Sequence, residues 1–246
     1  MGKKVLGIDV GASAVKGGIV DLGKGEMISE RFKIKTASPP APMKEVVDAF
    51  AKIVEHFDWK GEIGIGFPSL VKNHVIYTAS NVDKAWIGQD IQKVFGGRVG
   101  LPVFAVNDAD AAGLAERAFG GGQGKQGTVL LLTLGTGIGS ALFRNGVLIP
   151  NTELGHLKFK GDIAEKYCSS RIKEIENLSM KKWGGRLNNY LKHLDRLFSP
   201  DLILIGGGIS RKFDKFKDYL TVDVEVRPAA MKNIAGIVGA AMAVNV

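Results

Sequence analysis

Apolar and polar positions along this chain follow two rhythms. Lys4 to Val10 is apolar after its lysine except for Gly7 and Asp9, which predicts a buried strand. A turn through Gly11-Ala12-Ser13 leads to a second expected strand over 17–22, and Gly23 to Gly25 turn into a third over 27–35. Pro39, Pro40 and Pro42 break that pattern. From Met43 the period changes: Met43, Val46, Val47, Phe50, Ile53, Val54 and Phe57 make the stripe of an amphipathic helix, and 63–67 reads as a strand after it. Residues 68–100 are less periodic, with a polar loop at Asn81 to Trp86 whose one large aromatic could line a site. A strand over 102–106 delivers Asn107 and Asp108, and a short helix is expected to run from there to Ala118.

The opening then recurs. Val129 to Gly137 lies over Val5 to Ser13 without a gap: an apolar strand with one polar residue, a small-residue turn, then another apolar strand at 140–143. Such self-similarity predicts a duplicated strand-turn-strand unit in two lobes of similar topology. Gly120 to Gly124 reads as the flexible link between them. Beyond the polar loop 151–156, helices are expected over 164–178 and 186–198, strands over 202–205 and 222–226, and a final small-residue helix over 234–244. The expected division is a small lobe over 1–106, with the last helix (234–246) packed back on it, and a large lobe over 107–233.

Composition narrows the class. Hydrophobic content of 45% is ample for a packed core, and 33 basic against 25 acidic residues leave a net charge of +8. That balance favours phosphorylated or polyanionic partners. The basic residues are scattered and not interleaved with aromatics, so no nucleic-acid partner is expected. No apolar run has the length of a membrane span, and the N-terminus passes at once into a strand, so no membrane partner and a cytoplasmic location are expected. The single cysteine, Cys168, excludes an intrachain disulfide and a multi-cysteine zinc site.

Three glycine-rich turns follow strands: Gly11-Ala12-Ser13, Gly135-Thr136-Gly137 and Gly206-Gly207-Gly208. Turns free of side chains let backbone N–H groups cradle phosphates, and ligands gather at strand ends in α/β sheets. Asp9 precedes the first turn. It could hold Mg²⁺ through water, or take hydrogen bonds from the turn itself. Lys16 could reach a phosphate or be surface charge. Glu153 and His156, three apart, suit sugar hydroxyls, since a carboxylate accepts two hydrogen bonds and an imidazole donates or accepts. Asp108 stands where a helix begins. Its residue type alone predicts an N-cap; between the repeated turns it becomes the candidate general base, and one residue could serve as both.

In order along the chain, GIDVGASAVKGGIVD, the Asn107-Asp108 pair, LTLGTGIGSAL, NTELGH and LILIGGGIS resemble the ROK family of bacterial sugar kinases. TASNVDKAWIG, LFSPDLILIGGG and NIAGIVGAA are most similar to its polyphosphate glucokinase branch. The resemblance covers nearly the whole chain and implies an α/β, two-lobed actin-like ATPase (ribonuclease H-like) fold. It implies a glucokinase that phosphorylates the 6-hydroxyl of glucose from polyphosphate or ATP with Mg²⁺, usually as a homodimer. Carried onto this sequence, Asp108 is the base and Asn107 binds a neighbouring hydroxyl. Glu153 and His156 hold ring hydroxyls, with Glu165 and Asn81 as further sugar contacts. Asp9, Gly11, Ala12, Ser13 and Lys16 form one phosphate loop; Thr133, Gly135, Thr136 and Gly137 form the other; Gly206 to Gly208 lie against the donor. Ala12 stands where the family often has glycine, and the zinc site of one His and three Cys found in many members is not expected here. The alternatives are an ATP-dependent kinase for another hexose or amino sugar, and a catalytically silent sugar or nucleotide sensor.

Overall fold

Strand β1 (Lys4–Gly11) is the middle of a six-stranded sheet in the computed structural model, which describes residues 2–37, 40–80 and 82–246. It pairs antiparallel with β2 (Ala14–Asp21), which pairs with β3 (Glu26–Met27) and β4 (Phe32–Lys35). On its other side β1 runs parallel to β5 (Ile63–Phe67), and β5 runs parallel to β8 (Val103–Asn107). A small hairpin of β6 (Val71–Lys72) and β7 (Val75–Ile76) lies between β5 and β8 in the chain. The second strand begins at Ala14, three residues earlier than its pattern predicts, because it pairs with β1 as far as Gly11↔Ala14. The third expected strand is two pieces, β3 and β4, broken at 28–31.

Helix α1 (Met43–His56) covers one face of this sheet, burying Val46, Ala49, Phe50, Ile53 and Val54 as its stripe requires. Two short helices follow later: α2 (Gly97–Val99), after a π-helical turn at Gln92–Gly96, and α3 (Asp108–Phe119), which leaves β8 directly. The last helix, α7 (Ala235–Met242), packs on β1 and β5. Its small residues have a reason: a Cβ on Gly7 or Gly64 would run into the carbonyls of Ile237 and Ala240, so sheet and helix meet backbone to backbone.

The second sheet repeats the plan with β9 (Thr128–Leu134), antiparallel β10 (Ile138–Arg144) and β11 (Val147–Ile149), then parallel β14 (Leu202–Gly206) and β15 (Val226–Pro228). The hairpin β12 (Lys158–Phe159) and β13 (Asp162–Ile163) precedes α4 (Glu165–Cys168) and α5 (Ser170–Ile175). One helix was expected over 164–178. Ser169 takes an extended conformation, and its hydroxyl accepts the Ile172 N–H, ending one helix and capping the next. Helix α6 (Met180–Phe198) starts earlier than its stripe implied, at a cap where Ser179 accepts from the Lys182 N–H. Leu187, Tyr190, Leu191 and Leu194 are fully buried, whereas Leu197 is exposed. The expected strand at 222–226 is β15, pairing only from Val226.

Each sheet has its own core: Leu6, Ile8, Phe50 and Ile65 in one, Leu130, Leu132, Trp183 and Leu191 in the other. The chain divides into two compact units, Met1–Ala115 with Asn233–Val246, and Glu116–Lys232. The start of α3 packs within the first unit, where Ala111 lies against Gly66 and Gly239. Gly120 to Gly124 is not a slack link. Gly120 and Gly122 donate to the Glu116 carbonyl, and Leu204 packs against Gly121 and Gly122. Among the described residues no helix is long and apolar enough to cross a membrane.

Candidate active site

In the first unit the parallel strands end level with one another. Asp9 is paired with Gly66, Gly66 with Val106, and Phe67 with Asn107. Asp9 and the start of α3 therefore lie at the same edge of the sheet, the edge where α/β folds place their ligands.

The cap of α3 is Asn107, not Asp108. Its side-chain Oδ1 accepts the N–H groups of Ala109 at 2.8 Å and Asp110 at 3.2 Å. Its Nδ2 donates to the Ser69 carbonyl at 3.1 Å. An amide can do both at once, accepting from the helix while donating elsewhere, and a carboxylate cannot. Asn107 is consequently buried and held at both ends. Asp108, the first helical residue, is exposed and shares the Ala109 N–H at 2.8 Å.

Asp9 sits directly across the strand pair from Lys16, and the lysine Nζ donates to its Oδ2 at 2.8 Å. The carboxylate is thus neutralised by the residue expected to hold a phosphate, and not by the N–H groups of the turn. Both side chains remain partly exposed, 21% for Asp9 and 29% for Lys16. Gly236 of α7 leaves room for this carboxylate, since a Cβ there would stand 3.1 Å from the Asp9 Cγ. Ala12 does not have a positive φ, so the turn accepts its methyl group without backbone strain; Ser13 is exposed.

In the second unit Glu153, His156 and Glu165 come together. The 3₁₀ turn Leu154–His156 brings His156 Nδ1 to 3.2 Å from Glu153 Oε2, and its Nε2 lies 3.8 Å from Glu165 Oε1. Burial raises the Glu153 pKa from its ordinary value of 4.5, opposed by the imidazole and reinforced by Glu165. The loop is fixed from beneath: the Ser140 hydroxyl donates to the Thr152 carbonyl and accepts the Leu154 N–H, and the Tyr190 hydroxyl donates to the Leu154 carbonyl at 2.8 Å. Burial holds the Tyr190 phenol protonated for that purpose.

Glu165 also touches the second glycine turn, its Oε2 accepting the Ile138 N–H at 3.2 Å; a Cβ on Gly137 would collide with this carboxylate. Thr133, next to last in β9, is paired with Gly206 of β14. Gly135 donates to the Gly137 carbonyl at 3.0 Å, and Thr136 between them is exposed. The third turn lies against the second: Gly207 has φ +78, and a Cβ on it would strike the Leu134 carbonyl. Gly208 has nothing within 4 Å of its would-be Cβ.

Asn81 lies outside the described residues. Trp86, expected to line a site, is fully buried between Phe67 and Phe95, with ring centroids at 4.9 and 5.3 Å. Its loop is held by Asp83, whose carboxylate accepts the Ala85 N–H. Cys168 is buried, with its thiol pushed up to about 12 by desolvation. Two contributors went unnoticed in the sequence. Ser69 anchors Asn107 through its carbonyl, and Arg171 donates its N–H to the Gly135 carbonyl at 3.1 Å. Both act through the backbone, which leaves no residue-type signal beyond the Pro68-Ser69 break after β5.

Comparison with known proteins gives this arrangement its family. The ROK family model matches residues 5–179. The chain is 48% identical to a polyphosphate glucokinase of Mycobacterium tuberculosis over 97% of its own length and 90% of the relative's. Its fold superposes with a TM-score of 0.93 on the inorganic polyphosphate/ATP-glucomannokinase of Arthrobacter sp. strain KM, at 42% identity over 98% of each chain. A ROK glucokinase of Streptomyces griseus, solved with glucose and AMPPNP, shares the fold at a TM-score of 0.81 and 24% identity, covering 97% of this chain and 98% of that one. The expected α/β fold of the actin-like ATPase type, with its strand-turn-strand unit duplicated, is the fold observed. The chain belongs to the ROK family.

Proposed function

We propose that the protein is a glucokinase that transfers a phosphoryl group from polyphosphate or ATP to the 6-hydroxyl of glucose, with Asp108 as general base. One observation carries the assignment of the base. Asn107 caps the helix, and Asp108 is its exposed first residue, at the sheet edge it shares with Asp9. The substrate and donors are supported by the 48% identical polyphosphate glucokinase and the 42% identical polyphosphate/ATP-glucomannokinase.

In this mechanism the Asp108 carboxylate accepts the O6 proton as O6 attacks the terminal phosphorus of the donor. The bond from that phosphorus to the donor's bridging oxygen breaks, and the leaving group is ADP or a polyphosphate one unit shorter. Glu153 and His156 hold ring hydroxyls, Glu165 braces the imidazole, and Asn107 takes a neighbouring hydroxyl. The turns at 11–13, 135–137 and 206–208 offer backbone N–H groups to phosphate oxygens. Lys16 contributes a cation beside the first turn. The division of labour between lobes near residues 106 and 234 belongs to the same reading.

Mg²⁺ fits as an ion carried in with the donor. Among the described residues no three His, Cys, Asp or Glu side chains are grouped to hold a metal, and Asp9, one of whose oxygens is taken by Lys16, is a single carboxylate. Such a site holds Mg²⁺ mainly through water and phosphate oxygens, and the ion would neutralise donor charge there. The reading includes a cytoplasmic enzyme, with which a lone buried cysteine is compatible, and a second copy of this chain as partner.

The test is Asp108→Asn, assayed for glucose 6-phosphate release with each donor. Turnover should fall at least ~10²-fold with glucose affinity nearly unchanged. Near-normal turnover would remove Asp108 from its role.

A further inference from the structure

Glu116 is a fully buried carboxylate that the phosphoryl-transfer scheme does not use, being 1% exposed. Its Oε2 accepts the N–H groups of Gly121 at 2.9 Å and Ala230 at 2.9 Å, and its Oε1 accepts that of Met231 at 2.7 Å. Three backbone donors thus meet one acceptor-only group, across sequence separations of 114 and 115 residues for the last two. The chain passes from one unit to the other twice, between Ala115 and Glu116 and between Lys232 and Asn233. All three bonds lie within the second unit, and the two to Ala230 and Met231 join the segments that adjoin these passages.

Both passages lead to the chemistry. Glu116 lies in the last turns of α3, and Asp108 is the first residue of that helix. Eight residues of helix span about 12 Å, and a helix transmits the position of one end to the other. In the other direction Met231 leads through the 3₁₀ turn Lys232–Ile234 into α7, whose Gly236 abuts the Asp9 carboxylate.

We propose that Glu116 is a positioning residue for phosphoryl transfer. Its carboxylate pins the end of α3 to the root of α7, and so sets Asp108 and Asp9 relative to one another. This rests on the reading of Asp108 as the base. The physical reason for a carboxylate is specific: a glutamine offers one carbonyl oxygen and an NH₂ group, so at least one of the three N–H groups would face another donor.

The experiment compares Glu116→Gln with the parent enzyme in steady-state kinetics and in amide hydrogen exchange. The expected result is a kcat lower by about tenfold or more with glucose KM within about threefold. It is joined by faster exchange confined to Gly121, Ala230, Met231 and their neighbours. A kcat within twofold of the parent, with those amides exchanging faster, would overturn the proposal. So would a general rise in exchange across β9 and β14, with kcat and KM degrading together, which marks a purely structural role. Should Glu116→Gln not fold, Glu116→Asp keeps the charge and withdraws it by one methylene, and the same two outcomes decide. Asp108→Asn in the same assay separates the two ideas. If that variant turns over normally the base assignment fails; if it is inactive while Glu116→Gln has normal kcat, only the positioning role fails.

Discussion

Strand β1 brings Asp9 opposite Lys16, whereas β9, at the corresponding place in the second repeat, brings Thr133 opposite Gly139. The pairing also runs further in the first copy, to Gly11↔Ala14, than in the second, which stops at Leu134↔Ile138. The loop between strands is two residues in one and three in the other. A carboxylate beside phosphate oxygens is repulsive unless a cation stands with it, and the first copy supplies Lys16. The second copy has a neutral threonine at that place, and the carboxylate beside its glycine turn is Glu165, which comes from outside the repeat and accepts the Ile138 N–H. One topology thus carries a carboxylate–lysine pair across its strands in the first copy and an uncharged threonine at the same place in the second.

The most severe test exchanges charge at the equivalent positions. Asp9→Asn should lower kcat by about 10²-fold or more if the half-buried carboxylate acts on the donor's charge as proposed. Thr133→Val should cost less than about tenfold, since the threonine is not asked to carry charge. Steady-state turnover with each donor measures both. Equal losses would mean that the two copies are not functionally distinct.

Much of this plan can be read from residue order, and the places where it cannot are instructive. The strands, the α1 stripe and the repeat follow from apolar periodicity, because burial alone dictates them. The pairing of Glu153 with His156 is legible in residue type and Glu165 only in the family resemblance, while the brace from Ser140 and Tyr190 is legible in neither, as it runs through backbone groups. Residue type predicts a cap at Asp108, since aspartate is a favoured N-cap, and asparagine is nearly its equal there. Only the Ser69 carbonyl, 38 residues away, makes asparagine the better choice, since it must donate as well as accept. Lys16 likewise found its partner through strand register, which a one-residue slip would have reversed. Long-range backbone contacts are what composition and spacing do not encode locally.

Next in size is a contrast within the third turn. Gly207→Ala places a side chain at φ +78 and against the Leu134 carbonyl, and should destabilise the fold by about 1–3 kcal/mol in denaturant unfolding. Gly208→Ala meets nothing within 4 Å and should be within about 0.5 kcal/mol of the parent. If the two variants were equally stable, the apposition of the second and third turns would be wrong.

A smaller effect concerns pH. Burial raises the Glu153 pKa above 4.5, so protonation favours the folded chain. Its contribution to stability is present below the unfolded pKa and is lost as pH rises through the folded one. Hydroxyl binding needs the opposite state, an ionised acceptor. Glucose KM should therefore begin to rise, on acidification, at a pH above the ordinary glutamate range, while stability moves the other way. Glu153→Gln should flatten that limb of the KM profile, and an unchanged limb would assign it to another group.

The smallest expected effect sharpens the comparison from the first turn. Ala12 stands where the second copy has Thr136 and many family members have glycine, and its φ is not positive. A glycine there gains no conformation that the turn requires, and it adds freedom to the unfolded chain. Ala12→Gly should thus lower stability by about 0.4–1 kcal/mol. It should leave kcat and both substrate KM values within about twofold, because the backbone N–H groups that would face phosphate are unchanged. A gain in turnover would instead show that the methyl group obstructs the donor, and that the two-residue turn is more crowded than its geometry implies.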